Sequence, residues 1–148
     1  MSKTARLIAL TATMKRVLRL ARGSASPTAL PFNAIDPNGV AVDFNDGLYI
    51  VDSGGKQVLE LAPGATTPTV LPFTGLKLPT RVSVDTSGRV YVVDLHTNRV
   101  LEWDRGASVP IVLPFNDLKD PSSVTVDSTG NVYVDDGLHF RILKLPVQ

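Results

Sequence analysis

Six aspartates recur at fixed spacing: Asp43, Asp85 and Asp127 in one register, and Asp52, Asp94 and Asp136 nine residues further on. Carboxylates in such a series could act as metal ligands or as acid and base groups. A single active site breaks repeat symmetry, whereas these return in every copy of the surrounding sequence. Each is therefore expected to accept hydrogen bonds from the N–H groups of its own turn, as aspartate does in Asx-turns. Tyr49, Tyr91 and Tyr133 recur in the same way and are read as packing residues. Trp103, which stands where Leu61 stands one period earlier, is read likewise.

The residues that break the pattern are better candidates for recognition. Arg81 takes the position of Gly39, and Phe140 that of Asn98. An exposed aromatic side chain is a contact anchor. His96 and His139 fall in corresponding loops of adjacent copies, but zinc catalysis wants three protein ligands and an open position. They are read as solvated loop histidines, and no metal or other cofactor is assigned. Asp135, beside Asp136, replaces Val51 and Val93 and is read as a tolerated edge substitution. Nothing in the sequence brings Ser, His and Asp together, and neither paired glycosidase acids nor a phosphate loop is present. Cysteine is absent, which excludes disulfides, thiolate metal sites and a cysteine nucleophile. No catalytic residue is assigned, and the chain is not expected to be an enzyme.

At 148 residues with 43% hydrophobic and 20% charged residues, the composition is that of one globular domain. No apolar run approaches the length of a membrane span. All the charge in the first 22 residues is basic (Lys3, Arg6, Lys15, Arg16, Arg19 and Arg22), so the remainder is acidic on balance. That sign gives a polyanion no broad footprint and disfavours nucleic-acid binding.

These residues belong to a repeat of about 42 residues. Val58–Arg99 and Val100–Arg141 are identical at about half their positions, Val17–Gln57 is a third copy, and a fourth begins at Ile142. Each copy holds four short runs of strand-favouring residues. In one copy these are Val82–Asp85, Val90–Asp94, Arg99–Trp103 and Ile111–Phe115. Val82 and Val84 alternate with Arg81 and Ser83, the period of a strand. Asp85–Gly88 reads as a tight turn, and Pro79 and Pro110 precede strand starts. Four strands in about 42 residues is the spacing of a propeller blade.

The pattern P-x-x-V-x-V-D-x-x-G-x-V-Y-V-x-D-x-x-x-x-R-V-L resembles the NHL repeat of β-propeller proteins. The linking T-V-L-P-F-T-G-L around Leu71–Phe73 is similar to the extracellular sensor domain of a mycobacterial transmembrane serine/threonine kinase. The resemblance covers nearly the whole chain and implies an NHL-type propeller on the exterior of the cell envelope. Among the activities of that family are ligand sensing, protein and RNA binding, and some lyase and hydrolase reactions. No kinase motif is present: there is no Gly-rich phosphate loop, H-R-D or D-F-G.

The expected fold is all-β, a partial propeller with two complete four-stranded blades flanked by two incomplete ones. Residues 1–5 are expected to form a disordered start. A single domain over 6–148 then divides into blades at about 6–32, 33–73, 74–115 and 116–148. Residues 6–32 read as a decayed blade lacking its innermost strand, with Thr11 where other copies carry Asp52, Asp94 and Asp136. The first 24 residues make a poor signal peptide by comparison. Open ends expose strand edges that invite pairing with another chain. Self-association, with Thr28–Phe32 of one chain completing the last blade of another, is the favoured outcome; a gene fragment is the alternative.

The loops after each second strand, together with the blade connections, open on one face that bears Arg81, His96, His139 and Phe140. The expected function is non-catalytic recognition of a protein, a peptide or an envelope glycan there. Two alternatives stand beside it: a propeller lyase or lactonase with a central divalent metal, and an inactive relic of a receptor kinase's sensor domain.

Overall fold

The computed structural model describes residues 6–11, through their backbone, and residues 15–148. The expected disordered start at 1–5 lies outside the described residues. The first sheet comprises β1 (Arg6–Thr11), β2 (Arg16–Ala21) and β3 (Thr28–Ala29). The second comprises β4 (Pro37–Val42), β5 (Leu48–Asp52), β6 (Gln57–Leu61) and β7 (Thr69–Val70). The third comprises β8 (Pro79–Val84), β9 (Val90–Asp94), β10 (Arg99–Trp103) and β11 (Ile111–Val112). The fourth comprises β12 (Pro121–Val126), β13 (Val132–Asp136) and β14 (Arg141–Leu145). Every sheet is antiparallel with its strands in chain order. Among the described residues the result is an all-β partial propeller of two four-stranded sheets between two three-stranded ones.

Proline sets where the inner strands begin. Pro37, Pro79 and Pro121 are the first strand residues, where a missing N–H costs least. The inner strand expected at Val82 therefore starts three residues earlier, with Pro79 opposite Asp94 and a bulge between Pro79 and Arg81. The same bulge recurs after Pro37 and Pro121. Inner strands of neighbouring sheets run close together. A Cβ on Gly39 would lie 3.0 Å from the Thr80 carbonyl oxygen and 3.2 Å from Arg81 Cα, which fixes glycine there.

The outer strands are shorter than expected. The run Ile111–Phe115 pairs only at Ile111 and Val112, and Thr28–Phe32 only at Thr28 and Ala29. Proline is the reason: Pro114 cannot donate to a ladder. Leu113 makes the last bond, its N–H donating to the Val100 carbonyl at 2.9 Å, and Phe115 N–H then turns back to the Leu113 carbonyl. Leucine and phenylalanine of this Leu-Pro-Phe segment are thereby turned inward.

The core is three seams, each between the facing surfaces of two sheets. Tyr49, Val51, Val58, Leu71 and Phe73 meet Val82, Val90, Val92, Leu101 and Trp103. Tyr91, Val93, Val100 and Leu113 meet Val124, Val132 and Val134. Val17 and Phe32 of the first sheet meet Leu48, Ile50, Leu59 and Leu61. Among the described residues, no helix is long and apolar enough to cross a membrane.

Candidate functional site

The two aspartate series do different work. Asp43, Asp85 and Asp127 close the turn between first and second strands as expected. Asp43 Oδ1 accepts from the N–H groups of Asn45 and Gly47 at 2.8 Å. Asp85 accepts from Ser87 and Arg89, and Asp127 from Thr129 and Asn131. The second oxygen of each accepts from a recurrent tyrosine, Tyr49, Tyr91 or Tyr133, at 2.9–3.1 Å. Bonds from the Asn131 and Thr129 side chains hold the Asp127 carboxyl well below the usual range. Burial pushes the Tyr49 and Tyr91 phenols up, and the neighbouring carboxylates add to the shift.

Asp52, Asp94 and Asp136 depart from the expected role. Their principal backbone donors are not in their own turn but 16 or 17 residues upstream, in the connection entering the same sheet. Asp52 accepts from Ile35 and Asp36 N–H at 3.1 and 2.8 Å, with Gly55 of its own turn as a third donor. Asp94 accepts from Lys77 and Leu78 at 3.1 and 2.7 Å, and Asp136 from Lys119 at 2.6 Å. Each end-of-strand carboxylate is fully buried and ties the arriving chain to the sheet it is about to build. The physical reason is the burial of the charge: a carboxylate taken out of water must be paired, and the arriving connection offers it N–H groups.

The upper face, by which is meant the face bearing the loops after each second strand, holds the four predicted residues in unequal settings. Arg81 sits just past the β8 bulge and is exposed. Its Nη1 donates to the Thr80 carbonyl at 2.8 Å and to Asn38 Oδ1 at 3.1 Å. It lines a cleft of about 370 Å³ with Asn38, Thr80, Leu95, Asp120, Pro121 and Ser122. His96 is exposed in the 3-10 turn Leu95–Thr97 beside that cleft. His139 is drawn back to the sheet: its Nδ1 lies 2.8 Å from Asp136 Oδ2, an oxygen that also accepts from Arg141 Nε at 2.8 Å.

Phe140 is 91% exposed and adopts φ 52°, a left-handed conformation costly for a bulky residue. Lys56 and Asn98 adopt the same φ at the equivalent positions. Asn98 uses it to accept, through Oδ1, from Asp120 N–H of the next connection at 2.9 Å. Phe140 offers an apolar ring instead. The structure thus places Arg81 in a cleft, His96 beside it, and His139 with Phe140 one sheet further on. The four do not converge on one pocket.

Asp136 shows the local electrostatics most clearly. Burial would raise its pKa, but the Lys119 N–H, Arg141 and His139 outweigh this and hold the carboxyl at about 2. Among the described residues, no three His, Cys, Asp or Glu side chains are grouped to hold a metal.

A second cleft, of about 340 Å³, opens on the opposite face between the second and third sheets, and the sequence reading passed over it. Phe44 and Arg105 line it together with Asp43, Glu60, Asp85 and Ser87. Arg105 Nη2 donates to Tyr49 Oη and to Glu60 Oε1, both at 2.6 Å, and the guanidinium lies 5.8 Å from the Trp103 ring centroid. Phe44 is 71% exposed. The signal was available: Phe44 replaces Thr86 and Ser128, and Arg105 replaces Pro63, as Arg81 replaces Gly39.

No protein-family model matches this sequence, and no curated protein matches it significantly. Solved structures do. A chain of the nidogen/laminin complex superposes with a TM-score of 0.74 at 20% identity, over 89% of this chain and 52% of that one. Virginiamycin B lyase from Staphylococcus aureus, solved with quinupristin, gives 0.68 at 14% identity over 81% and 41%. A streptogramin B lyase gives 0.65 at 14% identity over 89% and 48%. The chain spans about half the length of the structures it matches. At these identities the likeness is one of fold, the β-propeller.

Proposed function

We propose that the chain is a non-catalytic recognition module of NHL-repeat type, binding a protein or peptide on its upper face. The observation that carries this reading is the placement of Arg81. A bulge, a device that re-aims side chains, sets a cation absent from the equivalent positions Gly39 and Ser123 on the wall of an open cleft. One sheet further on, Leu138 and Phe140 expose apolar surface beside polar loops, a composition suited to a polypeptide partner. The NHL assignment rests on the repeated motif. A propeller of the same fold occurs in a protein–protein complex, which supports binding without identifying a partner.

The test is selection of peptide binders from a displayed library against the immobilised chain, followed by titration against variants. Binders should lose affinity at least tenfold for the Arg81→Glu/Phe140→Ala double variant and keep it for Phe44→Ala. Binders indifferent to the double variant but lost with Phe44→Ala would move the site to the opposite face.

A further inference from the structure

The Arg81 guanidinium is anchored through one nitrogen. Nη1 donates to the Thr80 carbonyl at 2.8 Å, to Asn38 Oδ1 at 3.1 Å and to the Asn38 carbonyl at 3.3 Å. Asn38 belongs to the neighbouring inner strand, and it comes this near because Gly39 lets β4 approach Thr80 and Arg81 closely. Three acceptors on Nη1 hold the group against the β8 bulge, while Nε and Nη2 donate to no protein acceptor among the described residues. Those two nitrogens are the side-on fork that matches the two oxygens of a carboxylate. The other arginines of the last three sheets pair with carboxylates of the chain itself: Arg89 with Asp104, Arg99 with Asp94, Arg105 with Glu60, and Arg141 with Asp136. Arg81 has no carboxylate within ion-pair distance among the described residues.

We infer that the partner of the upper face presents a carboxylate to Arg81, seated on Nε and Nη2 within the cleft. The inference rests on the recognition reading above and names the chemistry of the contact: an acidic side chain or a C-terminus of the bound polypeptide. The cleft is built by three consecutive inner strands, with Asn38 on β4, Thr80 and Arg81 on β8, and Pro121 and Ser122 on β12. Arg81 is thus flanked on both sides by strands of its own chain, and its fork is left to a ligand by the walls that surround it. Asp120 lines the same cleft. Its charge repels a second anion, so one carboxylate is accepted there rather than an acidic run. A guanidinium already oriented by Nη1 loses little freedom on gripping that carboxylate, which favours recognition at a partly exposed site.

Proton–nitrogen correlation NMR of the full chain, read at the Arg81 Nε–H and at the backbone amide of Val82, tests this at constant ionic strength. N-acetylglutamate α-amide offers a side-chain carboxylate, N-acetylalanine a terminal one, and N-acetylglutamine α-amide a neutral isostere. At least one acid should shift these signals saturably, and the neutral amide should bind about tenfold less tightly or not at all. Whichever acid saturates tells an internal acidic residue from a C-terminus. Arg81→Lys keeps the charge without the fork and should weaken binding several-fold. Asn38→Asp sets a competing carboxylate beside Nη1 and should weaken it as well. Equal responses to acid and amide, a drift without saturation, or unchanged affinity in Arg81→Gln overturns the inference. Library-selected peptides that are lost with the Arg81/Phe140 double variant, yet tolerate replacement of every carboxylate by its amide, overturn it while leaving the recognition reading intact. Saturable binding of an acid at Arg81, with no peptide recovered on the upper face, supports the carboxylate site and removes the wider reading.

Discussion

The third and fourth sheets are written in nearly the same residues and live in different surroundings. Every residue of Val90–Asp94 is buried, whereas Val132–Asp136 alternates between buried and half-buried. β10 is mostly buried, and β14 is mostly open. The third sheet has a neighbour on both faces, the fourth on one. Where the second neighbour is missing, Asp135 stands at the register of Val93, which is fully buried, and Lys144 at that of Glu102. The Lys144 amine lies 5.9 Å from the centroid of the Tyr133 ring, within cation–π range. Strand register decides which way a residue points; the adjoining sheet decides how much it matters.

Paired substitutions across the repeat break or sharpen this contrast. The largest difference is expected from leucine. Leu101, 3% exposed, should cost about 3 kcal/mol when truncated to alanine, and Leu143, half-buried, about 1 kcal/mol. Urea titration of both variants measures this, and equal losses would show that the fourth sheet is covered in solution. A smaller gap is expected for the tyrosines. Tyr91→Phe removes a bond to buried Asp85 and should cost about 1 kcal/mol, whereas Tyr133→Phe acts on better-hydrated Asp127 and should cost less.

The smallest effect is electrostatic. Asp136 is held at about 2, below its ordinary 3.8. A carboxyl with a depressed folded-state value contributes stability that is complete above pH 3.8 and is lost as pH falls toward 2. Carboxyl carbon NMR should place its midpoint near 2. His139→Ala should raise that midpoint, because the imidazole is one of the groups favouring the charged form; an unmoved midpoint would show that His139 does not reach Asp136 in solution.

The sequence showed the repeat because copies about 42 residues apart can be laid side by side, and the strand alternation and turn aspartates because each is a local pattern read within ten residues. Asp43, Asp85 and Asp127 find their backbone donors two and four residues away. Three features lay beyond local reading. Asp52, Asp94 and Asp136 bind N–H groups 16 or 17 residues back, a distance set by how the chain enters the sheet. The outer strands end early because Leu113 makes the last bond before Pro114, a matter of bond counting rather than propensity. Arg105 meets Tyr49 and Glu60 across 56 and 45 residues, and only the seam brings them together. Among the candidate residues, the break in the repeat pointed to Arg81, which lines a cleft, and could not tell that His139 would turn toward Asp136.

The upstream reach of Asp52, Asp94 and Asp136 has a consequence for how such an array changes in length. Each carboxylate and the amides it binds fall within a single period: Asp36 with Asp52, Leu78 with Asp94, Lys119 with Asp136. Copying or deleting one whole period therefore carries the clasp along intact and orphans no buried charge. Blade number can drift by duplication while each unit's entry stays sealed, and the evolutionary cost of adding a unit falls on the seams alone.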